Sequence, residues 1–328
     1  AEAFSKRVVY DASTSRVDQR ELGFITIDGK TARDFDDAVF AKSNGDGSWQ
    51  VYVAIADVAH YVRPGSSIDQ EAYLRGTSVY FPTHAIQMLP ENLSNNLCSL
   101  KPDVNRFTLT CEMLVDSKGW VQSYRIYESV IRSRARLVYD DVAEFLDTGQ
   151  TRTIRNKEIL DNLIVMNEVA KALQEKRTKR GAINFNFAEQ QIELDDQNQM
   201  VGVSKKFQSS SMKLIEQFML EANETVAKHC TGNRLPALYR VHGSPDLSKL
   251  ERLKKVFQRF NIPVSTNSLS DSGQFNNVLE SIENLTNKNQ LQIILLRSMA
   301  LATYETDNQG HFGLGAKYYS HFTSPIRR

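Results

Sequence analysis

The sequence predicts an α+β domain, and three observations carry that prediction. From Phe24 to Val130 apolar residues recur with period two, as half-buried strands require. Beyond Asp140 the period shifts towards that of a helix. No internal repeat, low-complexity tract or Gly/Ser-rich or Pro-rich linker separates these parts, so they read as one domain, strand-rich first and helix-rich later. The 328 residues are 41% apolar and 24% charged, enough to bury a sizeable core, which excludes disorder of the whole chain.

Residues 1–21 are polar and read as a lead-in. Phe24–Ile27 is a short apolar strand closed by the turn pair Asp28-Gly29. Ala38–Ala41 and Gln50–Ala56 flank Ser43-Asn44-Gly45-Asp46-Gly47 and read as a hairpin. Phe107–Val115 and Val121–Val130 flank Ser117-Lys118-Gly119 and read as a second one. Between the hairpins, Pro82 to Pro102 is a long stretch with three prolines, and a loop that long inside a domain is usually functional.

Leu160, Leu163, Met166, Ala170 and Leu173 share one helical face, ending in the basic run Lys176–Arg180 before Gly181. Ile215, Phe218, Met219, Ala222 and Val226 form a second stripe after a run of serines able to cap it. Leu247, Leu250, Leu253, Phe257 and Phe260 form a third, started by Ser244-Pro245-Asp246. Leu291 to Tyr304 is apolar on nearly all sides and predicts a buried helix.

Forty Lys plus Arg against 39 Asp plus Glu leave a net charge of +1, so any affinity for nucleic acid must come from local patches. The longest apolar run, Val51–Ala56, is six residues, far short of a membrane span, and Ala1–Arg7 lacks the apolar stretch of a secretory signal. Cys98, Cys111 and Cys230 are odd in number and irregularly spaced, which predicts reduced thiols in the cytoplasm.

Asp28, Asp34, Asp36 and Asp37 place four carboxylates within ten residues. Four like charges raise one another's pKa unless something positive neutralises them, and Arg33 offsets only one. A divalent cation is the natural partner, and an all-oxygen ligand set favours magnesium or manganese over zinc. A solvated acidic turn is the plain alternative. A helix-loop-helix calcium site is disfavoured, because the Gly and closing Glu of that loop are missing. At the far end, Pro325 keeps Ser324 out of the helical region and places Arg327 where a helix would start, an arrangement that invites an anion. The alternative there is a plain basic tail.

Taken together, Thr26–Val39 (TIDGKTARDFDDAV), Val53–Val58 (VAIADV), Gly76–Leu100 (GTSVYFPTHAIQMLPENLSNNLCSL), His311–Gly315 (HFGLG) and His321–Arg328 (HFTSPIRR) resemble the catalytic domain of the ribonuclease II and ribonuclease R family of exoribonucleases. The wording of GTSVYFP and HFTSPIRR is closer to the ribonuclease R branch. The resemblance implies a twisted, largely antiparallel, barrel-like sheet wrapped by helices, occupying residues 22–328. It also implies processive, magnesium-dependent hydrolysis of single-stranded RNA from its 3′ end to nucleoside 5′-monophosphates.

By the same resemblance Asp28, Asp34, Asp36 and Asp37 match the family's catalytic, metal-binding aspartates, and Arg327 the arginine that holds the scissile phosphate. Tyr80 matches the aromatic residue that stacks on the 3′-terminal base, and Phe185, with Phe187 two residues away, the aromatic clamp at the far end of the stacked nucleotides. Tyr139 and Glu216 match positions that contact bases. For Tyr80, Phe185 and Tyr139 the alternative is core packing. Family members carry OB-type RNA-binding domains on either side of this domain and continue past the S-P-I-R-R motif, so the chain is expected to be C-terminally truncated relative to them. A truncated RNA-binding fragment with impaired turnover is therefore the second reading. His60, His84, His229, His242, His311 and His321 are scattered, with no metal-ligand spacing, and none is assigned to catalysis.

Overall fold

The computed structural model of the chain describes residues 15–185 and 187–326. Its contacts gather into two compact units: one runs through Ala172 and adds Phe187–Ala222 and the chain from Phe322, and the other comprises Leu173–Asn186 and Asn223–His321.

The first unit is built on a seven-stranded sheet. Its strands are β1 (Val17–Asp18), β2 (Ile25–Asp28), β3 (Asp37–Ser43) and β4 (Trp49–Ala56), then, after the two-residue strands β5 (Val79–Tyr80) and β6 (Ala85–Ile86), β7 (Asn105–Val115), β8 (Val121–Arg132) and β9 (Ala135–Val138). The order is β1-β8-β7-β4-β3-β2-β9, with parallel joins only at β1–β8 and β2–β9. The sheet is thus largely antiparallel, and among the described residues its ladder ends at β1 and β9. Both expected hairpins form, β3–β4 and β7–β8. Residues 17 and 18, inside the stretch read as a lead-in, add the edge strand β1.

One face of the sheet packs on Leu93, Leu97 and Leu100 from the proline-rich loop, together with Phe24, Phe35, Ala54, Ala56 and Ile131. That loop is no open excursion: Leu93–Leu97 winds into a single π-helical turn whose leucines are buried. The short helices α1 (Val58–Tyr61) and α2 (Ser67–Arg75) precede it, and α3 (Tyr139–Thr148) follows β9. α4 (Lys157–Arg180) and α5 (Ser210–Gly232) begin in this unit and continue into the other. Between them β10 (Glu189–Leu194) and β11 (Met200–Lys206) form a separate antiparallel ribbon.

In the second unit β12 (Tyr239–Val241) precedes α6 (Leu247–Arg259), α7 (Thr266–Ser270), α8 (Ser272–Ile282) and α9 (Lys288–Ser298), and β13 (Thr303–Glu305) returns to pair with β12. Leu250, Leu253, Phe257, Phe275, Ile282, Leu291 and Leu295 form its core. Asp246 caps α6, accepting from the Ser248 amide at 2.8 Å. The basic run ends α4 as expected. Gly181 follows at φ +94, and a Cβ there would stand 2.8 Å from the Gly273 backbone, so only glycine fits.

The expected helix over Leu291–Tyr304 is corrected. Met299 is already extended, the helix ends at Ser298, and Tyr304 lies in β13. Nor is the segment buried all round: α9 buries Leu291, Gln292, Leu295 and Ser298 on one face and leaves Ile293 and Leu296 exposed. Apolar composition alone does not reveal which side of a helix meets solvent.

Candidate active site

The site grows from the ends of two adjacent strands inside the sheet. Asp28 is the last residue of β2 and Asp37 the first of β3, so the turn between them holds the acidic cluster at the end of two adjacent strands. The connecting segment turns at residues 30–31 and carries no regular secondary structure over 32–36. Asp34 and Asp36, either side of Phe35, line one pocket with Ser78, Tyr80, Ser94, Cys98 and Ile326. The pocket measures about 30 Å³, room for a water or an ion rather than a base. A wider depression of about 670 Å³, lined by Phe40, Arg134 and Asn162, contains none of the motif residues.

Three motifs far apart in sequence therefore meet. The Tyr80 hydroxyl donates to Asp34 Oδ2 at 3.0 Å. Ser94 arrives on the π-helical turn, and Ile326, from the closing motif, lines the same pocket. Ser99 fixes the acidic segment: its hydroxyl donates to the Arg33 carbonyl at 2.7 Å and accepts from the Phe35 amide at 3.2 Å. Phe35 itself is buried, anchoring the segment between the two pocket-lining aspartates.

The parallel pairing of β2 with β9 sets Asp28 opposite Val138, beside Tyr139 at the start of α3. Ser211 of α5 donates to the Tyr139 carbonyl at 2.7 Å. From β9, Arg136 donates to the carbonyls of Gly29 and Lys30 at 2.6 and 2.9 Å and sits 5.5 Å over the Phe35 ring.

The electrostatics are those of an undercompensated acidic cluster. Burial, then the Asp34 charge, pushes the Asp28 carboxyl up to about 6, against the opposing pull of Arg136. Burial, with the charges of Asp28 and Asp36 added, pushes Asp37 up to about 8. Tyr139 is raised by burial and by Asp37 and Asp28, and Tyr80 by burial and by Asp34. Asp28 Oδ2 is buried without a hydrogen-bond partner. Buried oxygen donors with excess negative charge are the donor set a hard divalent cation takes. Among the described residues no three acidic, histidine or cysteine side chains converge as a ready-made coordination set, as mutual repulsion would dictate.

The remaining site residues stand as follows. Glu216, on α5, is half-buried and accepts from Gln208 at 2.9 Å; it makes no hydrogen bond or ion pair with the aspartates among the described residues. Phe185 meets Phe275 edge-on at 6.3 Å in the core of the second unit, while Phe187 belongs to the first and is exposed. Arg327 lies outside the described residues. Arg136 was not legible as a site residue, because only the long-range β2–β9 pairing sets it beside Asp28. The histidines do gather in part: His242 and His311, both in the second unit, pair as ring neighbours at 4.9 Å.

Residues 16–328 match the family described as RNB domain. Ribonuclease R of Vibrio parahaemolyticus is 40% identical over 98% of this chain and 39% of its own length. Ribonuclease R of Escherichia coli is 39% identical over 98% of this chain and 40% of its own length. The solved structure of Mycoplasma genitalium RNase R in complex with ribose-methylated single-stranded RNA matches with a TM-score of 0.91 and 33% identity, covering 98% of this chain and 51% of that one. The same RNase R in complex with double-stranded RNA matches with a TM-score of 0.92, covering 58% of that chain. The chain thus spans about two fifths of the length of these curated relatives.

Proposed function

The chain belongs to the RNB-domain family, and on that premise we propose that it hydrolyses single-stranded RNA from the 3′ end, processively, to nucleoside 5′-monophosphates. The observation that carries this reading is the meeting of Asp34 and Asp36, Tyr80 and Ile326 at one pocket. Asp28, Asp34, Asp36 and Asp37 hold a divalent cation, magnesium or in its place manganese. When bound, that cation supplies charge neutralisation and activation of water at the scissile phosphate.

The chain's own residues do the rest. Tyr80 is 66% exposed, so its ring face is open to the terminal base while its hydroxyl is held by Asp34. Stacking of that kind is worth about 1–3 kcal/mol per base and tolerates any sequence. Tyr139 and Glu216 contact bases further along, Phe185 is the second unit's own aromatic contact to RNA, and Arg327 grips the scissile phosphate through its planar fork. A cytoplasmic location belongs to the same reading and accords with three cysteines that are all free thiols. Among the described residues no helix is long and apolar enough to cross a membrane.

The test is direct. The chain is incubated with 5′-labelled oligoadenylate, with and without magnesium. The reading expects stepwise shortening from the 3′ end and release of adenosine 5′-monophosphate only with the metal. RNA binding without shortening would favour a non-hydrolytic RNA-binding domain.

A further inference from the structure

The segment that carries Asp34 and Asp36 has a second side. Arg33 turns away from the aspartate pocket and lines an open depression of about 380 Å³ with Lys101, Glu91, Asn92, Asn95 and Asn96. The two cavities are lined by neighbouring residues of the same two segments. Arg33 is the neighbour of Asp34, and the π-helical turn gives Ser94 to the aspartate pocket but Asn95 and Asn96 to the depression. Single π turns recur at functional sites, and this one, Leu93–Leu97, contributes residues to both cavities.

The same hydrogen bonds that hold the acidic segment create the basic side. Ser99 bridges Arg33 and Phe35, and the Leu100 amide donates to the Phe35 carbonyl at 2.9 Å. These bonds tie the chain just before Lys101 to the segment of Arg33, and both cations line the depression. Neither makes an ion pair or side-chain hydrogen bond among the described residues. Glu91 is engaged by Asn95 Nδ2 at 3.1 Å, and Asn96 Nδ2 donates to Asn92 Oδ1 at 3.3 Å, so the carboxamides are held in place. The volume lies within the range of small-ligand sites. Two unpaired cations outweigh the one lining carboxylate, Glu91, which Asn95 engages; with ordered amides around them, one of the cations being a guanidinium with paired donors, they match a tetrahedral oxyanion.

We propose that Arg33 and Lys101, framed by Asn92, Asn95 and Asn96, form a phosphate-binding site that backs onto the aspartate pocket. The choice of phosphate among anions rests on the RNA-hydrolysing reading. Its two sources are a backbone phosphate of the RNA and the phosphate of the released nucleotide.

The experiment works without metal, so turnover is not a readout. Inorganic phosphate, adenosine 5′-monophosphate, adenosine and a decanucleotide of adenylate are titrated into the chain and into Arg33→Gln, Lys101→Gln and the double variant. The site predicts that the double variant loses at least about tenfold in affinity for a phosphate-bearing probe, with adenosine unaffected. Loss confined to the decanucleotide identifies the RNA backbone, with a shallower salt dependence by one or two counterions. Loss on phosphate and the mononucleotide identifies the released product. Equal affinities of parent and variants for all phosphate-bearing probes would overturn the site. Arg33 is exposed and unpartnered, so Arg33→Gln alone decides the question if the double variant melts early. Failure of the hydrolysis test with Arg33-dependent phosphate binding intact would discard the exoribonuclease reading and keep the site.

Discussion

The Tyr80 hydroxyl and Asp34 Oδ2 are joined by a 3.0 Å hydrogen bond across 46 residues of sequence. This one contact couples the ring proposed to stack on the terminal base to a carboxylate proposed to hold the metal. Moving either group disturbs the other.

Tyr80→Phe and Tyr80→Ala separate the two roles. Phe keeps the stacking face and removes only the bond to Asp34, so turnover should fall severalfold with the product ladder unchanged. Ala also removes the face, about 1–3 kcal/mol of grip on the terminal base, and should change the length of the final product. Identical ladders and rates for Ala and parent would remove Tyr80 from the proposed site.

Asp37 makes metal-free stability depend on pH. Its carboxyl is raised from 3.8 to about 8, so the folded state keeps a proton that the unfolded chain releases. Its contribution is present below the unfolded value and is lost as pH rises through the folded one. Denaturant midpoints without metal should therefore fall across that window, and Asp37→Asn should flatten the fall. Magnesium should raise the parent's midpoint more near the upper end of the window than near the lower. Parallel profiles for parent and Asp37→Asn would contradict the burial argument.

His311 acts with the opposite sign in the second unit. Burial, then the His242 charge, lowers it from 6.5 to about 4, with Arg240 and His321 adding to the shift. The unfolded chain takes up a proton that the folded ring refuses, so stability is full above the unfolded value and falls as pH drops towards the folded one. Its Nδ1 accepts from the Leu314 amide at 3.2 Å, a role asparagine can fill. His311→Asn should lose less stability than the parent between neutral and mildly acid pH, as read from urea midpoints. An unchanged acid slope would place the titration elsewhere.

Arg327→Lys tests the proposed phosphate grip. Lysine keeps the charge but not the rigid planar fork, so turnover should drop with little change in RNA affinity. Near-normal turnover would make Arg327 a basic anchor.

What the sequence made legible follows from the range of the interactions involved. The hairpins β3–β4 and β7–β8 were readable because alternation and turn residues are local. Helices α4, α5 and α6 were readable from their apolar stripes. The parallel join of β2 with β9 was not, since pairing residues 25–28 with 135–138 leaves no local mark, and that join delivers Arg136 and Tyr139 to Asp28. The site motifs were recognisable as words, but only the fold shows that Ile326 and Tyr80 reach the pocket of Asp34 and Asp36. The exposed face of α9 depended on packing partners that composition does not name.

Asp36→Asn tests the central claim most directly. The change preserves shape, removes one charge from the proposed metal-holding pocket and lessens repulsion towards RNA phosphates. Turnover and affinity are measured side by side on one oligoadenylate with magnesium present. The predicted result is abolished release of adenosine 5′-monophosphate, with RNA binding equal to the parent's or slightly tighter. Retention of more than about a tenth of the parent's turnover, a loss of under 1.4 kcal/mol of barrier stabilisation, would contradict a catalytic role for the acidic cluster.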